Sequence, residues 1–205
     1  MNKTLKYAFR ITHIDNIPYI DRYGLVRANS PLRDPNYVSL GDPQVIVKRE
    51  QRQIKGYRLC DFIPFYLGPR SPMLYVIQHG FNGVKRVNAD QIVYCVIRLD
   101  DIISHNIRCV FTDGHALSIL TTYYEQNALR RIDEIVHFDD VFSTQWNSED
   151  DLDLKRRKEA ELLVGVDLTP QFTRGYVVYS DSAKKILIDN GVDAAKIAVS
   201  PAYYF

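Results

Sequence analysis

Six short runs dense in β-formers, each bounded by polar or turn-forming residues, limit what this chain can fold into more than any other feature. They are Tyr7–Ile14, Met73–Ile77, Gln91–Arg98, Ala160–Val166, Gly175–Tyr179 and Ile197–Val199. Alternation and β-branched content predict a strand for each. Asp15-Asn16 is placed to cap a short helix through Ile17–Tyr23, which Gly24 ends. Gln44–Ile54 predicts a charged helix, Ala116–Asn127 a further one, and Ser182–Asp189 an amphipathic one stopped by Gly191. Pro31–Pro43 and Ser143–Asp153 predict loops, the latter holding Trp146. The order does not alternate strand and helix strictly, so the expected class is α+β with mainly antiparallel sheets.

The chain has 205 residues, enough for one domain with a substantial core, and one domain over residues 1–205 is expected. The apolar fraction of 46% excludes disorder as the main state. Three cysteines, Cys60, Cys95 and Cys109, are too few and too widely spaced for a disulfide framework, and their spacing fits no zinc motif, so no metal is expected. The basic start Met1–Lys6 is not followed by an apolar leader, and no run approaches a bilayer span. A cytoplasmic protein that makes no use of a membrane, and a monomer, is expected. The ten glycines form no GxGxxG pattern.

Charge is uneven within a net +1. Gln44–Arg86 carries eight basic residues against two acidic, while Val87–Ala160 carries fourteen acidic against eight basic. A one-sided basic region suits an anionic ligand, nucleic acid or a dinucleotide, although two solvated faces of opposite sign produce the same pattern. The 14 tyrosines suit a site that grips planar rings as well as a core.

Three places break the local rules. Thr12-His13 closes the opening strand. Glu161 enters an apolar β-run, where a carboxylate either points to solvent or faces a ligand in a cleft; Glu159 shares its face if the strand already begins there. Asp61–Met73 packs aromatics, prolines and Arg70 without an amphipathic period, as in a shaped binding loop or a rigid core turn.

In chain order, Arg10-Ile-Thr-His-Ile-Asp-Asn16, Phe62-Ile-Pro-Phe-Tyr-x-x-x-Arg-Ser-Pro-Met-Leu-Tyr75, Phe111-Thr-Asp113 with His115, and Lys158-Glu-Ala-Glu-Leu-Leu-Val164 resemble the DarT family of DNA ADP-ribosyltransferase toxins over almost the whole length. The resemblance implies a split pair of mainly antiparallel β-sheets with NAD in the cleft between them. It implies transfer of ADP-ribose to a base in single-stranded DNA, most often thymidine, and a macrodomain antitoxin that removes the mark. Carried onto these positions, it makes Glu161 the catalytic carboxylate and Arg49 the catalytic arginine. Thr12, His13, Asn16, Arg49, Phe65 and Tyr66 become the NAD contacts. Arg70, His115 and the Trp146 loop lie where the family meets DNA, and Lys48, Arg52, Lys55 and Arg58 of the basic stretch are possible phosphate contacts. Two positions depart from the family: histidine is common where Arg10 stands, and glutamine where Glu159 stands. The resulting Glu-x-Glu also resembles transferases that modify protein arginines, the alternative reading; a module that binds NAD or nucleic acid without turnover is the third.

Overall fold

The computed structural model describes residues 3–205; Met1 and Asn2, part of the basic start considered above, lie outside the described residues. The strands are β1 (Tyr7–His13), β2 (Gln53–Ile54), β3 (Tyr57–Arg58), β4 (Ile63–Tyr66), β5 (Ile92–Arg98), β6 (Cys109–Thr112), β7 (Tyr123–Glu125), β8 (Glu161–Val164), β9 (Thr173–Val178) and β10 (Ile197–Val199). The helices are α1 (Ile17–Tyr23), α2 (Pro43–Gln51), α3 (Pro72–His79), α4 (Leu99–Ser104), α5 (Ile132–Ile135), α6 (Phe138–Phe142), α7 (Leu154–Lys158) and α8 (Asp181–Asp189). Strands β2 and β3 form a small hairpin, and the other eight form one sheet in the order β10-β9-β5-β1-β4-β8-β6-β7. Every pairing in it is antiparallel except β9 with β10.

That sheet is two four-stranded halves joined at one point. Along β1, each residue from Tyr7 to His13 has a partner on β5, whereas β1 meets β4 only at Phe9 and Tyr66. Past this pair the two strands part. The split pair of sheets expected from the sequence is therefore present as a continuous sheet with a gap opened in its middle.

Both faces of the central strands are covered, which is why β5 and β8 read as nearly unbroken apolar runs. In β5, Val93, Cys95 and Ile97 enter the main core with Ile17 and Ile20 of α1 and Leu187 of α8. The alternate residues Ile92 and Tyr94 pack on the opposite face with Phe9 and with Leu74 and Ile77 of α3. Gly24 ends α1 at φ 91°, and a Cβ there would lie 2.0 Å from the Leu168 carbonyl oxygen, so neither its backbone conformation nor its space admits a side chain.

Four local expectations are corrected. Met73–Ile77 is helical: Ser71 caps α3 by accepting the Leu74 N–H, Pro72 occupies its first turn, and Gly80 closes it in the left-handed conformation. These boundary residues outweigh the β-propensity between them. Ala116–Asn127 is no helix but a turn-rich loop leading into β7. The shaped segment after Asp61 contains strand β4. Strand β8 starts at Glu161, so Glu159 ends α7 and does not share the strand face.

The ends of β4 and β8 are fastened to α6 by Lys158, a fully buried lysine whose Nζ donates to the carbonyls of Pro69 at 3.2 Å and Val141 at 3.1 Å. Gly68 makes this approach possible, since a Cβ there would lie 2.0 Å from the same Val141 oxygen. Gly68→Ala should therefore lower unfolding stability by about 1–3 kcal/mol, the usual cost of overpacking, as a reduced denaturation midpoint with unchanged slope.

Candidate active site

The parting of β1 and β4 opens a cavity of about 300 Å³, bordered by Arg10 and Ile11 of β1, Ile63–Tyr66 of β4, Asn16, Arg49, Glu161 and the loop around Tyr37. Arg10 spans the gap, donating from Nη1 to the Pro64 carbonyl at 3.2 Å and from Nη2 to the Tyr37 hydroxyl at 3.3 Å. This gives the departure at position 10 a structural role.

Glu161 is 2% exposed at the first residue of β8, opposite Tyr66 of β4. Its carboxylate accepts from Arg49 Nη1, at 2.9 Å to Oε2 and 3.3 Å to Oε1, and from the Ala116 N–H at 3.0 Å. Its own N–H donates to Thr112 Oγ1 at 2.9 Å, and that hydroxyl donates to the Gly114 carbonyl at 2.7 Å. A carboxyl this buried needs such partners, and a guanidinium with a main-chain N–H supplies them. Arg49 holds one donor in reserve: its Nη2 is buried without a partner. The pair thus offers a fixed negative group and an unfilled positive donor at the edge of one cavity, suited to stabilising a cationic sugar centre and an anionic neighbour together.

Glu159 lies next to this pair. Burial first, and the charge of Glu161 second, push its carboxyl up to about 8, so it is largely protonated at neutral pH. Burial, then Glu159 and Glu161, likewise raise the Tyr66 phenol. Burial pulls the Lys158 ammonium down to about 8, and burial lowers His115, with Glu161 acting in the opposite direction.

The expected NAD contacts divide. Asn16, Arg49, Phe65 and Tyr66 border the cavity together with Glu161, whereas Thr12 and His13 do not. Thr12 is buried and serves the scaffold, its hydroxyl accepting from Asn16 at 2.9 Å and lying 3.3 Å from the Tyr37 hydroxyl. His13 turns its Nδ1 to the Asp15 N–H at 3.3 Å, capping the turn after β1. Phe65 is 1% exposed with its ring in the main core, because it alternates with Tyr66 along β4. Asn16 pins the cavity's loop wall: its Oδ1 accepts the Val38 N–H and its Nδ2 donates to the Val38 carbonyl, both at 2.8 Å.

The expected DNA contacts form two patches. Lys48, Arg52 and Lys55 are exposed on α2 and the β2–β3 hairpin; Lys55 is paired with Glu125, and Arg58 with Asp61 at 3.0 Å. Arg70 instead lies 4.5 Å over the Phe205 ring, with its Nε buried and unpartnered. Trp146 packs edge-on against Phe205 and Tyr75 at 5.0 and 5.2 Å. His115 lies one residue before the amide that holds Glu161. Sequence reasoning missed Tyr37, Thr112 and Ala116 as holders of the site. Only the Phe111-Thr-Asp113 motif pointed near them. Among the described residues no group of three or more His, Cys, Asp or Glu is placed to hold a metal ion.

Comparison with known proteins gives a consistent result. The family model described as "ssDNA thymidine ADP-ribosyltransferase, DarT" matches residues 9–205. A DNA ADP-ribosyl transferase of Escherichia coli O127:H6 is 34% identical over 189 residues, covering 90% of this chain and 85% of the relative. A transferase–glycohydrolase fusion protein of Thermosipho africanus is 28% identical over 201 residues, covering 96% of this chain and 49% of the fusion. The fold matches Thermus sp. 2.9 DarT in complex with ADP-ribosylated ssDNA at a TM-score of 0.83 and 23% identity, and the same protein with NAD+ at 0.78 and 22%, each over the full length of both chains.

The protonated state of Glu159 has a measurable cost. An unfolded glutamate loses its proton near its ordinary value of about 4.3, whereas the folded one holds it to about 8. Between these limits the folded state binds more protons, so this group's contribution to stability falls as pH rises from about 4.5 to 8. Glu159→Gln, which stays neutral, should be more stable than the parent chain at pH 8 and should lose that advantage near pH 4. Thermal melts of both proteins across this range check the expectation.

Proposed function

The chain belongs to the DarT family of single-stranded-DNA thymidine ADP-ribosyltransferases, and on that premise we propose that it cleaves NAD at the nicotinamide–ribose bond and transfers ADP-ribose to thymidine in single-stranded DNA. The observation that carries the assignment of roles is the Arg49–Glu161 pair at the edge of the cavity between the parted strands.

In this reaction the bond between the ribose anomeric carbon and the nicotinamide nitrogen breaks, its electron pair leaving with nicotinamide. A bond then forms from that carbon to a ring nitrogen of the base, which gives up its proton. The sugar centre is cationic between these events, and the Glu161 carboxylate beside it supplies the complementary charge. Glu161 is also the candidate to take the ring proton. Arg49, through the donor that Glu161 leaves free, suits the deprotonated base or an NAD phosphate. Asn16 and Tyr66 border the space that NAD would fill. Glu159, protonated at neutral pH and not on the cavity's border, offers no anion to the cationic guanidinium of a protein arginine, which favours a base as acceptor.

We further propose that the chain works as a single domain and a monomer in the cytoplasm, where DNA is available. A macrodomain partner would reverse the modification; the joining of transferase and glycohydrolase in one Thermosipho chain supports such a pairing. No helix among the described residues is long and apolar enough to cross a membrane.

Labelled NAD offered together with thymidine-containing oligonucleotides and an arginine-rich protein should label only the oligonucleotides. Label on protein alone would overturn the reading in favour of arginine modification, and binding of NAD or DNA without label on either would favour the non-catalytic module. Glu161→Gln should lower the transfer rate on the order of 100-fold or more, corresponding to about 3 kcal/mol of lost charge stabilisation. The amide is preferred to alanine because Glu161→Ala would strand the buried Arg49 charge and cost the fold about 3–5 kcal/mol. Arg49→Lys, which keeps a cation beside Glu161 but removes the free guanidinium donor, should reduce transfer with no matching loss of DNA binding in a titration with labelled oligonucleotide.

A further inference from the structure

Tyr123, the first residue of β7, pairs across the strands with Thr112, the last residue of β6. Thr112 holds the Glu161 N–H through its hydroxyl. The Tyr123 hydroxyl reaches back to the loop between the two strands and donates to the Ala116 carbonyl, while the Ala116 N–H donates to Glu161 Oε1 at 3.0 Å. Ala116 has no exposed surface, and among the described residues no other group donates to its carbonyl. Both main-chain polar groups of this one residue are thus committed, one to the Glu161 carboxyl and the other to Tyr123.

The partners fix the direction of the second bond. A carbonyl only accepts, so the phenol's proton lies on the Ala116 side. The Arg52 guanidinium, which only donates, faces the same hydroxyl, whose oxygen keeps a lone pair for it. Burial holds the phenol above its ordinary value, so that proton is retained at neutral pH. The ring is held as firmly as the hydroxyl. It packs against the cluster of Ile54, Leu59, Phe62, Ala116 and Leu163, to which the small β2–β3 hairpin contributes Ile54.

Tyr123 is not in a position to touch NAD. It does not border the cavity between β1 and β4, and it lines instead a second cavity of about 320 Å³ between the hairpin and strands β6 and β7. The other bonds of the loop gather on a different carbonyl: Thr121 Oγ1 and the Ser118 N–H both donate to His115, each at 2.9 Å. They leave the Ala116 carbonyl to Tyr123.

We propose that Tyr123 is a positioning residue for the transfer reaction, its hydroxyl fixing Ala116 so that the Ala116 N–H meets the Glu161 carboxyl in the geometry the reaction uses. This rests on the role given to Glu161 above. A buried carbonyl deprived of its partner is costly and shifts toward another. Here the residue that shifts carries the amide facing the reacting carboxyl, and a small misplacement of such a group lowers rate.

Tyr123→Phe keeps the packed ring and removes only the hydroxyl, so it should melt within about 4 °C of the parent chain. Deuterium exchange followed by NMR should find the Ala116 amide about tenfold less protected in the variant. On a thymidine-containing oligonucleotide its kcat should fall about tenfold, the worth of one such bond, with KM for NAD and NAD affinity by calorimetry unchanged. The same substitution made in Glu161→Gln should cost less than about twofold in kcat, because the charge it positions is already gone; a residue that only supports the fold would cost the same in both backgrounds. Unchanged protection of Ala116, an unchanged kcat, equal losses in the two backgrounds, or a loss confined to KM for NAD would each overturn the proposal. Full activity of Glu161→Gln by itself would instead overturn the role of Glu161, and the proposal with it.

Discussion

The separation of β1 from β4 after the Phe9–Tyr66 pair is the constraint on which the site depends. Strands left open in the middle of a sheet expose backbone polar groups that must find other partners. Here Arg10 answers the Pro64 carbonyl from across the gap and Tyr37 of the loop wall completes the link. Beyond the closed end of β4, the buried Lys158 answers the carbonyls of Pro69 and Val141. The cavity is therefore not a space left over between packed parts but an interruption of hydrogen bonding, bridged by a cationic side chain that replaces part of the missing ladder.

Those cations, together with Arg49, bring several charges into a region of low dielectric. A guanidinium and a main-chain amide face the Glu161 carboxyl. Glu159, only two residues earlier, lacks comparable donors and holds its proton. Two carboxyls close in sequence thus sit in opposite surroundings, one among donors and one buried without them.

Much of the scaffold was legible in the chain. Strands β5 and β8 are dense in β-formers because they are covered on both faces, β9 and β10 show the same composition, and α8 shows an apolar face between Ser180 and Gly191. Helix α3 was misread because Met73–Ile77 has strand-like composition, although Ser71-Pro72 and Gly80 already marked a helix's ends. Nothing in the composition of Lys155–Glu159 announces that Lys158 is fully buried. Arg49 and Glu161 are 112 residues apart, so no spacing rule joins them; only the likeness of the motifs to a family did. The same likeness places Thr12 and His13 at the NAD site, and in this chain their side chains bond the Asn16 side chain and the turn behind the cavity.

Placing Glu161 at the first residue of β8 has a mechanical consequence. Its strand is flanked by β4 on one side and β6 on the other, and its carboxylate and amide are each bonded to the segment that follows β6. The group is thus fixed by the stiffness of three strands rather than by the torsions of a loop. Displacing it would mean shearing the sheet. The facing wall is a loop fastened at Val38 by the Asn16 side chain, so the cavity sets an anvil of sheet against a wall held through a single amide.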